Sequence, residues 1–209
     1  LLKFFAKRYI AGTEKDDAVE EAARLNSFGL GAIIDNLGEN VSNVEDTLKT
    51  AAEYSALLEL IKTSGVDGSV SLKLTHLGLN ISDELAFKNT EDIVKKALCL
   101  GNFVRIDMEG SAYTQKTIDI AVKLHKGYPN TGVAMQCMLK RSRDDVRLLM
   151  EKGVSVRLVK GAYKELPEIA FGKKKDVDGN FEFLMKELLV KGNRPALATH
   201  DERLINEAK

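Results

Sequence analysis

Two cations stand where a buried strand ought to be apolar. In the run from Val154 to Tyr163, Arg157 and then Lys160 interrupt a β-branched stretch that turns at Gly161. Strands covered on both faces are normally continuous in apolar residues, and buried cations cost free energy unless an anion meets them. The run therefore predicts a bound anion or a polarised cofactor at the strand's carboxyl end. Other residues with chemical potential also interrupt or end apolar runs, and Lys73 is expected in mid-strand among apolar neighbours. Lys73 has three readings: a lysine snorkelling to solvent, a cation for a substrate carboxylate, or an amine for Schiff-base chemistry. Asp107 either forms an internal ion pair with Arg105 or Lys73, or fixes a catalytic cation and its protonation state. Gln136 is either a satisfied core amide or a two-sided hydrogen-bonding partner for a flat heterocycle.

The histidines divide. His76 and His125 are expected to be structural or exposed. His200 lies in Ala198-Thr199-His200-Asp201, where a strand meets a helix. That segment reads as a Thr/Asp helix cap or as a phosphate contact. Three histidines in unlike contexts do not make a metal site. Neither a GxGxxG nor a P-loop lysine motif occurs, so a Rossmann nucleotide site lacks its main support. The run Lys173-Lys174-Lys175 reads as a solvated loop face, or as an arm reaching a ligand phosphate.

The elements that must position these groups alternate. Strands are expected near 31–37, 70–75, 103–107, 132–138, 154–159 and 195–199. Helices are expected between them, by periodicity and punctuation. A leading helix runs over about 14–28, opened by Thr13 and ending near Gly29. Ser42 or Asn43 opens the next, which ends near Gly65. Thr90 opens a third that closes at Gly101, and Ser111 a fourth that closes at Gly127. Ser142 with Asp145 suggests a capping box for a helix stopping at Gly153. Phe181, Leu184, Met185, Leu188 and Leu189 share one face of the sixth.

Six βα units in series fit a (βα)8 barrel or an open doubly wound sheet. In several strands an apolar face alternates with a polar one. Leu72 and Leu74 oppose Ser71, Lys73 and Thr75; Val104 and Ile106 oppose Arg105 and Asp107. An open sheet usually buries apolar residues on both faces, so the barrel is preferred. It forms a single domain over 1–209, with the barrel proper from about 31. A complete barrel has eight strands and about 250 residues, so the C-terminal strands are expected to be missing, or the barrel to be open or completed by another chain.

Composition narrows the partners. Lys+Arg and Asp+Glu both number 31, so no global field favours nucleic acid or anionic lipid. The N-terminal Leu1-Leu2-Lys3-Phe4-Phe5 is too short for a secretory signal, and no apolar run reaches the ~20 residues of a membrane span. Cys99 and Cys137 lack metal spacing and read as buried free thiols in a reducing compartment.

Six segments in order resemble the proline dehydrogenase family, of the flavin-dependent, monofunctional bacterial type. They are Ile34-Asp35-Asn36-Leu37-Gly38-Glu39, Ser71-Leu72-Lys73-Leu74-Thr75-His76-Leu77-Gly78, Val104-Arg105-Ile106-Asp107-Met108-Glu109-Gly110-Ser111, Ala134-Met135-Gln136-Cys137-Met138-Leu139-Lys140-Arg141, Val156-Arg157-Leu158-Val159-Lys160-Gly161-Ala162-Tyr163 and Ala198-Thr199-His200. The resemblance implies a (βα)8 barrel with FAD that oxidises L-proline to Δ1-pyrroline-5-carboxylate and passes electrons to a membrane quinone. It implies a cytoplasmic protein, or one peripheral at the inner membrane.

By the same resemblance, Lys73 would hold the substrate carboxylate. Asp107 would organise the site and, with Met108, touch the cofactor. Gln136 would face the flavin's pyrimidine ring, and Arg157 would lie against the isoalloxazine near its reacting nitrogen. Val159, Lys160, Gly161 and Ala162 would run beside the cofactor, with Tyr163 near both cofactor and substrate. Thr199 and His200 would contact its ribityl–pyrophosphate or adenine end.

Three departures stand out. Lys164 replaces a frequent tryptophan, and Asp201 stands where asparagine is common. The family's last two strands and its arginine-pair helix are absent, which leaves the activity of this stretch by itself open. Two alternatives remain: a Schiff-base barrel aldolase using Lys160 or Lys73, and a non-catalytic barrel fragment that at most stores flavin.

Overall fold

A computed structural model describes residues 10–209. The N-terminal Leu1–Phe5 arm lies outside the described residues. Strands and helices alternate, and the chain divides into two compact units at Val104/Arg105.

In the first unit, α1 (Lys15–Asn26) leads into β1 (Ala32–Asp35), α2 (Val44–Ser64), β2 (Gly68–Leu72), a 3-10 turn (Leu74–Leu77) and α3 (Asp83–Cys99). Glu14, one residue past the expected Thr13, caps α1, and Asp17 reaches back to its backbone. Helix α2 keeps its expected ends. The Asn43 side chain accepts from the Asp46 N–H at 2.9 Å, and Gly65 closes the helix at φ +67°, a left-handed turn that glycine takes without strain. Strands β1 and β2 pair in parallel, Ala32 with Gly68 through Asp35 with Ser71.

Two expectations about α3 fail. Helix α3 starts at Asp83 rather than Thr90, because the Ser82 hydroxyl accepts the Leu85 N–H at 3.0 Å and Asp83 and Glu84 follow in the first turn. Thr90 sits mid-helix with its hydroxyl bonded back to the Ala86 carbonyl at 2.7 Å, which lets a β-branched polar residue stay there. Cys99 ends this helix exposed, not buried.

Strand β3 (Val104–Ile106) carries the chain into the second unit, which continues with α4 (Ser111–Gly127), β4 (Thr131–Gln136), α5 (Ser142–Glu151), β5 (Ser155–Val159), α6 (Lys174–Lys191), β6 (Ala196–Ala198) and α7 (Glu202–Ala208). Here β4, β5 and β6 pair in sequence order and in parallel. No strand is skipped within either unit, whereas a doubly wound sheet reverses its order at a switch point.

Every residue of β4 is buried. Phe181, Leu184, Met185 and Leu188 of α6 are buried too, each such side chain contributing about 1.5–3 kcal/mol. Leu189 instead stays 47% exposed. The Ser142/Asp145 capping box does not form. Asp145 takes the Arg141 guanidinium at 2.7 and 2.9 Å, while the Ser142 hydroxyl accepts from Asn180 Nδ2 at 2.9 Å. Both side chains have closer partners than the helix N-terminus. Among the described residues no helix is long and apolar enough to cross a membrane.

Candidate functional site at the ends of strands β3 to β6

The register of the second unit sets one row of residues at its strand ends. Gln136 pairs with Val159 and Val159 with Ala198; one row deeper, Ala134 pairs with Arg157. Parallel strands present their carboxyl ends on one side, where βα connections build sites. These residues wall a cavity of about 640 Å³ together with Asp107 and Met108 after β3, the turn from Lys160 through Tyr163 after β5, and Thr199 and His200 after β6. Ala134, Lys174, Ala198 and Asp201 also line it. Of the lysine run, Lys174 is the member that faces this cavity, a distinction no spacing in the run discloses.

Arg157 and Asp107, which both line the cavity, form an ion pair with side chains only 17% and 18% exposed, and Arg157 Nη2 donates to the Asp107 carboxylate. Arg157 is thus an internal partner of Asp107 that the sequence reading did not name. The buried Arg157 Nε has no hydrogen-bond partner among the described residues. A buried donor without an acceptor is costly; what Arg157 presents to the cavity is its charge, held by Asp107. Arg105 turns elsewhere: its Nη1 donates to the Ser155 carbonyl at 2.8 Å and to its hydroxyl at 3.2 Å. Burial, helped by the nearby Arg157 charge, lowers its pKa to about 10.

Gln136 is buried and works as a strut. Its Nε2 donates to the Glu109 carbonyl at 2.9 Å, and its Oε1 accepts the Ala162 N–H at 3.3 Å. One amide hydrogen and one lone pair remain available on it. Gly161 has φ +117°, and a Cβ there would meet the Met138 sulfur at 2.5 Å. The chain itself therefore requires this glycine, before any cofactor approaches. Tyr163 packs against the cluster of Met138, Leu139 and Ala170.

Sequence reasoning missed Glu165, whose carboxylate takes the Ser111 N–H at 2.7 Å and its hydroxyl at 2.5 Å. It caps α4 and fixes the connection that carries Tyr163. Nothing local in the sequence signals a cap supplied from so distant a segment.

Lys160 Nζ lies 2.6 Å from Asp178 Oδ1 and 2.9 Å from Asp201 Oδ2. Desolvation opposes its charge, but these hydrogen bonds outweigh it and raise its pKa. A protonated lysine held by two carboxylates is a poor Schiff-base nucleophile.

In the first unit, Lys73 is not a mid-strand residue. Strand β2 ends at Leu72, because Lys73 caps the 3-10 turn that follows. Its ammonium lies 2.8 Å from Asp35 Oδ2. The buried Tyr54 hydroxyl reaches the Ser71 carbonyl at 2.9 Å and Asp35 Oδ1 at 3.3 Å. Sequence reasoning named neither Asp35 as a partner of Lys73 nor Tyr54 as a partner of Asp35, since these contacts join residues far apart in the chain. His76 is buried beside this group, whereas Nδ1 of the half-buried His125 lies 3.0 Å from the Thr131 carbonyl. Among the described residues no cluster of three or more His, Cys, Asp or Glu is arranged for a metal ion.

Comparison with known proteins gives one family throughout. The sequence profile described as Proline dehydrogenase matches residues 18–208. Proline dehydrogenase 1 of Bacillus subtilis subsp. natto is 35% identical over 204 residues, covering 98% of this chain and 68% of that protein. Proline dehydrogenase 1 of Bacillus subtilis strain 168 is 36% identical over 200 residues, covering 96% and 66%. The chain thus spans about two thirds of the length of the curated relatives it matches. A crystal structure of proline utilization A (PutA) from Bdellovibrio bacteriovorus, inactivated by N-propargylglycine, superposes with a TM-score of 0.86 at 23% identity, over 97% of this chain and 26% of that one. That likeness shows the fold, a TIM-type α/β barrel of which six βα units are present here.

Proposed function

Because the chain belongs to the proline dehydrogenase family, we propose that it works as an FAD-dependent oxidoreductase that converts L-proline to Δ1-pyrroline-5-carboxylate and delivers the electrons to a membrane quinone. The observation that carries this reading is the convergence on one cavity of the residues whose motifs resemble the family's flavin contacts, from Asp107 and Gln136 through Arg157 to Thr199 and His200. Arg157, paired with Asp107 in that wall, fits a ligand that gains negative charge there.

In this reading a bound flavin supplies the two-electron acceptor for oxidation of the proline C–N bond. The chain's own residues do the rest. Arg157, held by Asp107, presents a fixed positive charge where negative charge develops on transfer. Gln136 and the 159–162 backbone orient the ring, with Met108 lining the same wall, and Tyr163 closes the substrate side. Lys73, with its ammonium fixed by Asp35, receives the proline carboxylate. Thr199, His200 and Lys160 face the phosphate-bearing end. Residues 1–209 act as one barrel domain, in the cytoplasm or peripherally at the inner membrane, where a lipid-soluble acceptor must be met.

The test is spectroscopic. The whole protein should show flavin absorption bands that bleach anaerobically on addition of L-proline. Yellow protein that proline leaves unbleached would favour a flavin store. Colourless protein that yields a borohydride-trapped adduct would favour the aldolase. Either result defeats the proposal.

A further inference from the structure

We propose that Asp201 is a built-in competitor for the cations at one end of the cavity, so that this site holds a flavin chiefly by its ring and only weakly by its phosphates. The inference rests on the flavin reading above and concerns how this chain tunes it.

Four charged groups meet there. Lys160 is bound by both Asp178 and Asp201. Lys174 pairs with Asp178, and its Nζ lies 3.8 Å from Asp201 Oδ2. Two ammoniums and two carboxylates sum to zero charge, and three of the four, Lys160, Lys174 and Asp201, line the cavity. An arriving phosphate therefore meets no unclaimed cation among them. It must either displace Asp201 from Lys160 or approach a carboxylate of its own sign, and both weaken binding.

The two cations differ in how easily they can be redirected. Lys174 has a side chain 77% exposed against 26% for Lys160. An exposed pair is cheap to break, so Lys174 is the group that can turn towards a phosphate. Asp201 has little freedom to withdraw. Its Oδ1 accepts the Arg203 N–H at 3.2 Å, and its own N–H donates to the Thr199 hydroxyl at 3.1 Å. Asparagine keeps the capping role while removing the charge, so Asp201→Asn separates the electrostatic effect from folding.

The experiment titrates the whole apoprotein with riboflavin, FMN and FAD, following the quenching of flavin fluorescence. Riboflavin carries the ring without phosphate and reports ring binding alone. Asp201→Asn should tighten FMN and FAD by about tenfold, the scale of one nearby like charge removed, and change riboflavin less than about twofold. Its FAD affinity should also fall more steeply with salt. Lys174→Ala should weaken FMN and FAD severalfold and leave riboflavin unchanged, and Asp201→Glu, which keeps the charge, should behave as the parent. A change of equal size for riboflavin and FAD, or none for either, overturns the inference while leaving the flavin reading intact. Failure of parent and variants to bind any of the three flavins overturns that reading and this inference with it.

Discussion

The two units handle polar groups at their strand ends in opposite ways. In the first, Asp35 joins Lys73 to the hydroxyl of the wholly buried Tyr54. In the second, Arg157 pairs with Asp107 in the wall of a cavity, and its buried Nε has no partner among the described residues. Their strands differ as well. β1 is half open, with Ile33 50% exposed, while β4 is buried along its whole length. A self-paired cation in a polar cluster suits a small charged substrate that takes over part of an existing pair. A fixed ion pair lining a cavity suits a larger ligand on which negative charge develops. Under the proposed function, substrate recognition falls to the first unit and cofactor orientation to the second.

Two substitutions test that division most sharply. Arg157→Met should slow reduction by proline by about 10²–10³-fold, the scale of losing a preorganised charge at a developing anion, and should alter the bound flavin's absorption spectrum. Unchanged reduction kinetics would remove Arg157 from its role. Lys73→Ala should raise KM for proline roughly 10- to 100-fold, the value of one charge-assisted contact, and leave flavin content and spectrum as they were. A Lys73→Ala protein that lost its flavin would erase the distinction between the units.

How much of this was legible in the sequence follows the range of the interactions. The α/β alternation, the ends of α2 and the apolar face of α6 rest on neighbours within one or two turns, and periodicity discloses them. The Thr90 start misled because hydroxyl capping by Ser82 and back-bonding by Thr90 look alike in a sequence. The strand cations of the second unit stood out because charge inside a β-branched run is costly. Which carboxylate answers each cation was not legible. Asp107 meets Arg157, Asp35 meets Lys73, and Glu165 caps α4 across long separations. The polar strand faces were legible as well: Ser71, Arg105 and Gln136 are buried, and Arg105 and Gln136 donate to the Ser155 and Glu109 carbonyls.

Gly161 offers a smaller test within the second unit. Gly161→Ala adds a methyl to a residue at φ +117° and drives it against Met138, which should cost about 1–3 kcal/mol of stability. Shortening Met138 to alanine as well relieves the contact but not the backbone strain, so the double variant should recover only part of the Gly161→Ala loss relative to Met138→Ala alone. Urea midpoints for the four proteins decide it. Full recovery would mean that the thioether, not the backbone, demands glycine here.

The gentlest test uses pH to address the first unit alone. His76 is buried, its Nδ1 lacks a partner among the described residues, and Gly38 packs so closely on its ring that a Cβ there would lie 2.3 Å away. Desolvation lowers its pKa, although Asp35 and Glu53 pull the other way. The folded protein therefore takes up this proton less readily than the unfolded chain, so stability falls as pH drops below the unfolded value of about 6.5. In the second unit, lysine hydrogen bonds lower the pKa of Asp178 and Asp201, while Lys160 is raised despite desolvation. Those carboxylates lose their contribution only as pH falls below about 4, and the lysine only as it rises above about 10.4. Between pH 7.5 and 5 that cluster is silent, and the slope from His76 should stay under about 1.4 kcal/mol per pH unit, the ceiling for one proton. His76→Gln should flatten the fall in Tm across this window. Parallel Tm profiles for parent and variant would show that the buried imidazole is not the group being charged.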